Sequence, residues 1–350
     1  MKKVNKQKLG QFYTTNYKYI LQNLSIPDGI TEIIEPFAGN GDLLQFVEKD
    51  KYTVQCYDID PKQDYIIQQD TLMHPPDFNH TFVITNPPYL ARNKSSDKTI
   101  FDKYDTNDLY KCFIQILINS QCLGGILIIP LNFICSIRKS DVELRQQFIE
   151  KYDIIHINIF EEQVFDDTSY AICSFQFMLK TNTIENTIKC GIYPSKKEIQ
   201  FVLHGENNYT IGGEIYNLTQ NINYKIDRAT YLMKEQGNFT NILVKCIDDN
   251  IHNKIGLSIV NDEDKMKYID TTPNLSSRSY AILVIEPLLD MEQQRQLVEK
   301  FNTYLNIHRE KYNSLFLTNY RESNTIARKR ISFGLVYEIC NYLLPSILVS

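Results

Sequence analysis

Short apolar runs alternate with segments of helical spacing along the first 180 residues of this chain. Such alternation predicts an α/β fold in which a parallel sheet carries helices on both faces. The runs that we predict as strands are residues 30–35, 52–57, 65–69, 82–85, 125–130, 154–160 and 170–179, and helical character is found at 42–48 and 109–121.

The composition and the periodicity of the sequence change after about residue 180. Asn, Thr and Ile become frequent, helical periodicity weakens, and glycine turn signals recur at Gly205, Gly212 and Gly237. A helical pattern returns at 290–312. We therefore predict two domains, 1–185 and 186–350, the second with mixed and irregular α/β structure.

The composition narrows the class of protein. A hydrophobic fraction of 43% over 350 residues is enough for a proper core. The sequence has no apolar run near 20 residues, and its basic start lacks an apolar stretch behind it, so we expect neither a membrane span nor a signal peptide. The eight cysteines are scattered singly. They predict reduced thiols in a cytoplasmic protein, with no zinc site and no disulfide framework.

The charge is unevenly spread along the chain. The net charge of −5 argues at first against a nucleic-acid partner. However, DNA binding needs a local basic surface rather than a basic total, and the alternative is a solvated charged face. Residues 308–330 hold six basic residues against two acidic ones: Arg309, Lys311, Arg321, Arg328, Lys329 and Arg330 against Glu310 and Glu322.

A loop of small residues, Glu35-Pro36-Phe37-Ala38-Gly39-Asn40-Gly41-Asp42, follows the first predicted strand. Small residues let the backbone approach a ligand closely at the start of the next helix. The loop lacks the GxGxxG pyrophosphate fingerprint, so a neutral or zwitterionic ligand fits better than a dinucleotide. A plain tight turn is the alternative interpretation.

Acidic residues lie at the ends of the first three predicted strands. Asp58 ends the second strand, 23 residues after Glu35, where Rossmann-like folds place an acceptor for ribose hydroxyls; Asp60 is the runner-up. Asp70 ends the third strand and could accept from an adenine amino group. Each alone is as readily a turn or a helix cap. Together they favour a ligand at the carboxyl edge of the sheet.

Thr85-Asn86-Pro87-Pro88-Tyr89 leaves the end of the fourth predicted strand. An amide oxygen and a backbone carbonyl can accept from an exocyclic amine, two prolines stiffen the loop, and a ring can cover a flat base. The pentapeptide therefore indicates methyl transfer to a planar nitrogen, provided that the chain also holds a methyl-donating cofactor.

These motifs resemble, in order and spacing, those of N6-adenine DNA methyltransferases of the gamma arrangement, as found in type II restriction-modification systems. Gly10–Thr14 is similar to the family's N-terminal cofactor motif, and residues 164–170 to the motif that lends a second aromatic to the target base. The resemblance implies a Rossmann-like S-adenosylmethionine-dependent sheet with a C-terminal mixed α/β target-recognition domain. It also implies double-stranded DNA as partner, a cognate restriction endonuclease as functional partner, and no metal.

The resemblance assigns site residues by type. The catalytic set is Asn86, Pro87, Pro88, Tyr89 and Phe165. The cofactor set is Gln11, Phe12, Tyr13, Thr14, Glu35, Phe37, Ala38, Gly39, Gly41, Asp58, Ile59, Asp70, Thr71 and Asn86. The DNA-binding set is Arg278, Arg321, Arg328, Lys329 and Arg330.

The implied chemistry uses the Asn86 oxygen and the Pro87 carbonyl to free the lone pair of the adenine amine, while Tyr89 and Phe165 enclose a flipped-out base. Three other functions stay open from the sequence. A protein-glutamine methyltransferase grips a side-chain amide with the same tetrapeptide, and an RNA methyltransferase could do the same with a base. The third is a non-catalytic DNA-binding module with this fold.

Overall fold

The computed structural model describes residues 14–48, 50–165, 171–181, 186–233, 239–250, 252–274, 279–321 and 327–348. The chain forms two compact units. The first comprises Met1–His204 with Arg321–Ala327, and the second comprises Gly205–Tyr320 with Arg328–Ser350. No helix in these described ranges is both long and apolar enough to cross a membrane.

A nine-stranded sheet organises the first unit, in the order β3-β2-β1-β4-β5-β7-β6-β8-β9. Every predicted strand overlaps an observed one, whereas β8 and β9 were not predicted. Because these two strands pair within this sheet, the first unit runs past residue 185 to His204. The strands are β1 (Glu32–Glu35), β2 (Thr53–Asp58), β3 (Ile67–Gln68), β4 (Phe82–Thr85), β5 (Gly124–Pro130), β6 (Tyr152–Phe160), β7 (Ile172–Leu179), β8 (Thr187–Tyr193) and β9 (Lys197–Val202).

The predicted α/β fold with a Rossmann-like sheet is confirmed, but the sheet is mixed and not wholly parallel. Strands β1 to β5 pair in parallel. Strand β7 is antiparallel to both β5 and β6. Strands β6 and β7 follow each other in the chain and lie side by side, and such direct neighbours pair antiparallel because a parallel pair would need a long crossover.

Five α-helices and two 3₁₀ helices accompany this sheet within the described residues. The segment predicted as helical at 42–48 is a 3₁₀ helix, Asp42–Phe46. The long predicted helix at 109–121 is observed two residues shorter. The α-helices are α1 (Tyr17–Ile20), α2 (Thr99–Tyr104), α3 (Leu109–Asn119), α4 (Asn132–Cys135) and α5 (Lys139–Lys151), and the second 3₁₀ helix is Arg92–Lys94.

The core of the first unit centres on β4 and β5, in which every residue is buried. Aromatic rings fill the space between β7 and α5: Phe148 lies 5.1 Å from Phe177 and 6.0 Å from Phe175, centroid to centroid. The burial of these apolar side chains stabilises the sheet, and the sheet holds the ends of its strands in fixed positions. Strands β3, β2, β1 and β4 are consecutive neighbours, so the loops that follow them meet at one edge.

The second unit has a four-stranded antiparallel sheet in the order β10-β13-β11-β12. Its mixed α/β structure agrees with the prediction. The helix Met291–Tyr312 begins with a capping box of Asp290 and Gln293, which agrees with the helical pattern predicted from residue 290. The elements are β10 (Lys225–Arg228), β11 (Ile242–Lys245), β12 (Gly256–Ile259), α6 (Asp262–Lys265), β13 (Tyr280–Glu286), α7 (Met291–Tyr312), the paired strands β14 (Thr318–Arg321) and β15 (Ala327–Arg330), of which Arg321 and Ala327 belong to the first unit, α8 (Phe333–Leu343) and α9 (Pro345–Leu348), with 3₁₀ turns at Gly205–Asn207, Gly213–Tyr216, Tyr231–Met233 and Met266–Tyr268.

Candidate active site

A cavity of about 210 Å³ lies at the carboxyl ends of β1, β2 and β4, beside the loop that follows β3. Ligands bind at this edge in open α/β sheets, because the loops there can vary without disturbing the core. The residues that line it are Thr14, Glu35, Phe37, Ala38, Gly39, Asp42, Leu43, Asp58, Ile59, Gln69, Asp70, Thr71, Leu72, Asn86, Pro88, Leu90, Ser95, Asp97, Ile100, Phe101 and Leu109.

Asp58 ties the glycine loop to the end of β2. Its Oδ2 accepts a hydrogen bond from the backbone N–H of Gly39 at 2.8 Å, and its Oδ1 accepts from the backbone N–H of Asp60 at 2.8 Å. A carboxylate offers about four lone-pair sites, and Asp58 also lines the cavity. Asp58 therefore combines the turn-forming role considered above with the position predicted for a ribose acceptor.

Position 41 of the loop favours glycine for two reasons: its backbone conformation and the nearness of the Tyr65 side chain. Its φ is +80°, a value that residues with a side chain rarely adopt. A Cβ there would also collide with the hydroxyl of Tyr65. Gly41 itself does not line the cavity, so it shapes the loop rather than the wall.

Asp70 and Thr71 are fixed by the backbone around them. The Oδ1 atom of Asp70 accepts from the backbone N–H groups of Leu72 and Met73, at 3.0 and 3.1 Å. The Thr71 hydroxyl donates to the carbonyl oxygen of Pro36 at 2.8 Å and so joins the loops that follow β1 and β3. Asp70 is thus a turn cap whose carboxylate also lines the cavity.

Glu35, at the end of β1, is the most deeply buried acid of the cavity wall, with 1% of its surface exposed. Its Oε2 has no hydrogen-bond partner among the described residues. Burial, together with the charges of Asp42 and Asp58, raises the pKa of the Glu35 carboxyl well above its usual range. An orphaned carboxyl group beside two further carboxylates is a place for a cation.

The charge of the wall restricts the ligand further. Five acidic residues line the cavity, and no lysine or arginine does so among the residues that the structure describes. Phosphate-bearing cofactors would meet only like charges there, whereas a ligand with ammonium or sulfonium groups would be attracted. The acidic lining residues are Glu35, Asp42, Asp58, Asp70 and Asp97.

Asn86, directly after β4, presents its side chain at the same cavity and is held at both ends of its amide. Its Nδ2 donates to Oγ1 of Thr14 at 3.1 Å, and its Oδ1 accepts from the hydroxyl of Tyr89. An amide oxygen has two lone pairs and can accept from two donors.

Tyr89 points into the core in this structure and does not line the cavity. Its side chain is 3% exposed, and its hydroxyl also contacts the carbonyl oxygen of Ile128 at 2.6 Å. Its ring meets that of Tyr110 edge-on at 6.2 Å. Burial raises the pKa of the Tyr89 phenol well above its ordinary value, so this hydroxyl stays protonated. Pro88, by contrast, forms part of the cavity wall.

The loop after Tyr89 is clamped to the start of α3. Asp108 Oδ1 accepts from the backbone N–H of Leu90 at 3.1 Å, and the N–H of Leu109 donates to the carbonyl of Leu90 at 3.2 Å. Burial raises the pKa of Asp108 to about 6, although Lys111 acts in the opposite direction. Asp108 thus positions the segment on which the tetrapeptide ends.

The remaining predicted residues are not brought to the cavity. Phe165 is buried elsewhere, with its carbonyl accepting from Gln163 Nε2 at 2.8 Å. In the second unit, Lys329 Nζ donates to the carbonyl oxygen of Asn313 at 3.4 Å, and the backbone of Arg330 forms an antiparallel β-bridge with that of Ile247. Gln11, Phe12, Tyr13 and Arg278 lie outside the described residues, as do the side chains of Arg321 and Arg328.

The sequence analysis missed part of the wall. Asp42 could have been found, since it is a carboxylate placed directly after the glycine loop. Leu90, Ser95, Asp97, Ile100, Phe101 and Leu109 carry no motif; the pairing between the loop after the tetrapeptide and the start of α3 brings them to the cavity. Within the described residues, no group of three or more His, Cys, Asp or Glu side chains could hold a metal ion.

Comparison with known proteins agrees with the motifs. Residues 40–165 match the family model described as Eco57I restriction-modification methylase. This stretch includes the last three residues of the glycine loop, Asp58, Asp70, the tetrapeptide and Phe165. The resemblance to restriction-modification DNA methyltransferases is therefore confirmed over this part of the chain. No protein of curated function matches the chain by sequence.

Several solved structures are similar at low identity. A modification subunit of a putative type I restriction enzyme from Vibrio vulnificus is 14% identical with a TM-score of 0.43, over 54% of this chain and 48% of that one. A putative class I S-adenosylmethionine-dependent methyltransferase from Listeria monocytogenes is 17% identical with a TM-score of 0.36, over 49% and 61%.

A chain from a structure of type I restriction-modification complex assembly is 15% identical with a TM-score of 0.41, over 86% of this chain and 65% of that one. The present chain spans about half the length of the Vibrio subunit, 48%. Similarity of this degree carries no argument about activity, which must come from the site.

Proposed function

We propose that this chain is a site-specific DNA adenine N6-methyltransferase that uses S-adenosylmethionine, acts in the cytoplasm, and modifies DNA as the counterpart of a restriction endonuclease. One observation carries the proposal: the Asn86 amide lies on the same cavity as Glu35, Asp58 and Asp70. An acceptor for a planar amine and a cation-binding, ribose-binding pocket are what methyl transfer to adenine requires.

The cavity residues fit S-adenosylmethionine, which carries a sulfonium and an ammonium group that match the acidic wall. When bound, it supplies a methyl group on a good leaving group, so no covalent enzyme intermediate is needed. Asp58 would accept from the ribose hydroxyls, and Asp70 from the adenine amino group. Ile59, 44% exposed in the open cavity, would cover one face of that adenine.

Asn86 would act on the nucleophile. The lone pair of the adenine N6 amine is delocalised into the ring, which makes the amine a poor nucleophile. Acceptors at Asn86 Oδ1 and the Pro87 carbonyl would hold both amino hydrogens and favour a more tetrahedral nitrogen. Because Thr14 holds the Asn86 amide, this acceptor is preorganised for the positive charge that develops on nitrogen, and such preorganisation supplies several kcal/mol.

The target base must leave the duplex to reach this cavity. Pro88 would border the flipped base, and Tyr89 would stack on it once its hydroxyl gives up the bonds to Asn86 and Ile128. Base–aromatic stacking contributes about 1–3 kcal/mol, enough to offset the loss of those bonds. Phe165 would have to approach from its own loop to close the opposite face.

The second unit would recognise the DNA sequence. Lys329 and Arg330 are neighbours on β15. The positive charges of Arg330 and Arg228 both act to lower the pKa of the Cys246 thiol, so these cations share one region of the unit. Arginine can contact guanine edges or phosphates, and lysine mainly phosphates. Arg278, Arg321 and Arg328 remain DNA contacts proposed from the sequence alone.

Labelled S-adenosylmethionine incubated with the protein and DNA, RNA or a glutamine-bearing peptide tests the proposal. The expected result is label in DNA alone, recovered as N6-methyladenine. Label in RNA or peptide but not in DNA would refute it in favour of another N-methyltransferase, and binding of DNA without any transfer would indicate a non-catalytic module. Base-resolution sequencing of the methylated DNA then gives the target site.

A further inference from the structure

Glu35 lies in the cavity wall, and the Oε2 atom of its carboxyl group has no hydrogen-bond partner within the described part of the chain. It lies at the end of β1 and is 1% exposed. The titratable groups that face it are Asp42 on the 3₁₀ helix, Asp58 on β2 and Tyr65 in the loop before β3. No basic side chain lines this wall among the described residues.

An ionised carboxylate cannot remain buried here without compensation. Burial of an unpaired charge is costly, and two neighbouring carboxylates add repulsion. Both effects favour the neutral carboxylic acid at Glu35, and both raise its pKa well above the usual range. A positive charge that enters the cavity would reverse the balance, because it attracts the carboxylate and not the acid.

We propose that Glu35 makes the cavity selective for positively charged ligands, and that it releases its proton to solvent when such a charge enters. The inference rests on the proposed function, and it adds the means by which the cofactor site distinguishes charge. The positive charge belongs to the ammonium or to the sulfonium of S-adenosylmethionine. The balance is simple: one carboxylic acid becomes a carboxylate, and one proton passes to the buffer.

Proton release makes cofactor affinity depend on pH. The free protein binds the proton and the complex does not, so affinity rises with pH between the pKa of Glu35 in the free protein and its lower pKa in the complex. By linkage, the association constant rises by up to about tenfold per pH unit within that window.

Calorimetric titration of the purified full chain in two buffers with different heats of ionisation measures the released protons. At about pH 6, above the ordinary carboxyl pKa of about 4.3, S-adenosylmethionine should release up to one proton. S-adenosylhomocysteine keeps the ammonium but lacks the sulfonium charge, and 5′-methylthioadenosine lacks both. Equal release with the first two ligands identifies the ammonium, and release with S-adenosylmethionine alone identifies the sulfonium. 5′-Methylthioadenosine should release none.

Two variants make the assignment specific. Glu35→Gln should bind with little or no proton release, whereas Glu32→Gln, an exposed carboxylate on the same strand, should behave like the wild type. Binding of S-adenosylmethionine to the wild type without proton release would overturn this inference alone. Equal release from 5′-methylthioadenosine, or undiminished release in Glu35→Gln, would also overturn it. Absence of any S-adenosylmethionine binding would overturn the proposed function and the inference with it.

Discussion

The Nδ2 group of Asn86 donates a hydrogen bond to Oγ1 of Thr14, 3.1 Å away, so a residue near the start of the chain orients the amide at the end of β4. Both residues are buried and both line the cavity. In this orientation the amide oxygen is the acceptor that faces the Tyr89 hydroxyl and, in our account, the target amine.

Replacement of Thr14 tests this orientation directly. Thr14→Val keeps the shape but leaves a buried N–H of Asn86 without its acceptor, which costs about 1–3 kcal/mol. We expect kcat for methyl transfer to fall about tenfold or more, while Thr14→Ser, which restores the hydroxyl, stays near wild type. Steady-state kinetics at saturating cofactor measure both. Equal activity of the Val and Ser variants would show that the bond does not position Asn86.

Tyr89 has a ring and a hydroxyl that should contribute differently. Tyr89→Phe keeps the ring but removes the hydroxyl, whose single hydrogen is shared between Asn86 Oδ1 and the Ile128 carbonyl, so the free energy of unfolding should fall by about 1 kcal/mol. If the ring stacks on the flipped base, kcat/KM for DNA should change only a few-fold. Tyr89→Ala should lower kcat/KM about tenfold further, because stacking is lost.

Chemical denaturation and methylation kinetics on the same two variants separate these effects. A residue that only fills the core would lower stability in both variants and leave kcat/KM of the folded protein alike. That result would remove Tyr89 from the proposed mechanism.

Asp108 should give the protein a pH-dependent stability. Its pKa is raised to about 6, so between the unfolded value near 3.9 and about 6 the folded state binds more protons than the unfolded state. The contribution of a raised carboxyl pKa is therefore largest below about pH 4 and is lost as pH rises through about 6. Asp108→Asn lacks this titration and keeps an acceptor for the Leu90 N–H.

The comparison is the free energy of unfolding of wild type minus that of Asp108→Asn at about pH 4.5 and about pH 7. We expect this difference to fall by about 1–3 kcal/mol at the higher pH. A difference that stays constant or rises with pH would mean that Asp108 is ionised throughout and is stabilised by Lys111.

Strand positions were predictable where burial leaves a clear apolar run. The predicted run 82–85 is β4 to the residue, because both faces of that strand are covered and every side chain is apolar or small. Helix α5 was not predicted, because its buried face is not wholly apolar. Its buried face includes Asp141 and Arg145, and the guanidinium of Arg145 donates to the carbonyls of Phe133 and Ser136. Such buried charges hide the apolar period from any one-dimensional pattern.

The residues of the candidate site likewise divide into those that the sequence predicts and those that it does not. Glu35, Asp58, Asp70 and Asn86 follow neighbouring strands, so the order of motifs alone brought them to one edge. A buried core position was the alternative for Tyr89, but its hydrogen-bond partner could not be predicted, because that partner is the Ile128 carbonyl of a different strand. The clamp of Asp108 on Leu90 likewise joins residues that share no motif.

The measurement that tests the central claim most directly is nucleoside mass spectrometry of DNA incubated with S-adenosylmethionine and either wild type or Asn86→Ala. Wild type should produce N6-methyladenine. Asn86→Ala should reduce the rate about 10²–10³-fold while binding the cofactor within a few-fold of normal, because only the acceptor for the amine is removed. Asn79→Ala, an exposed asparagine shortly before β4, is the matched control and should not change the rate. Methylation at another base, or an undiminished rate in Asn86→Ala, would contradict the account.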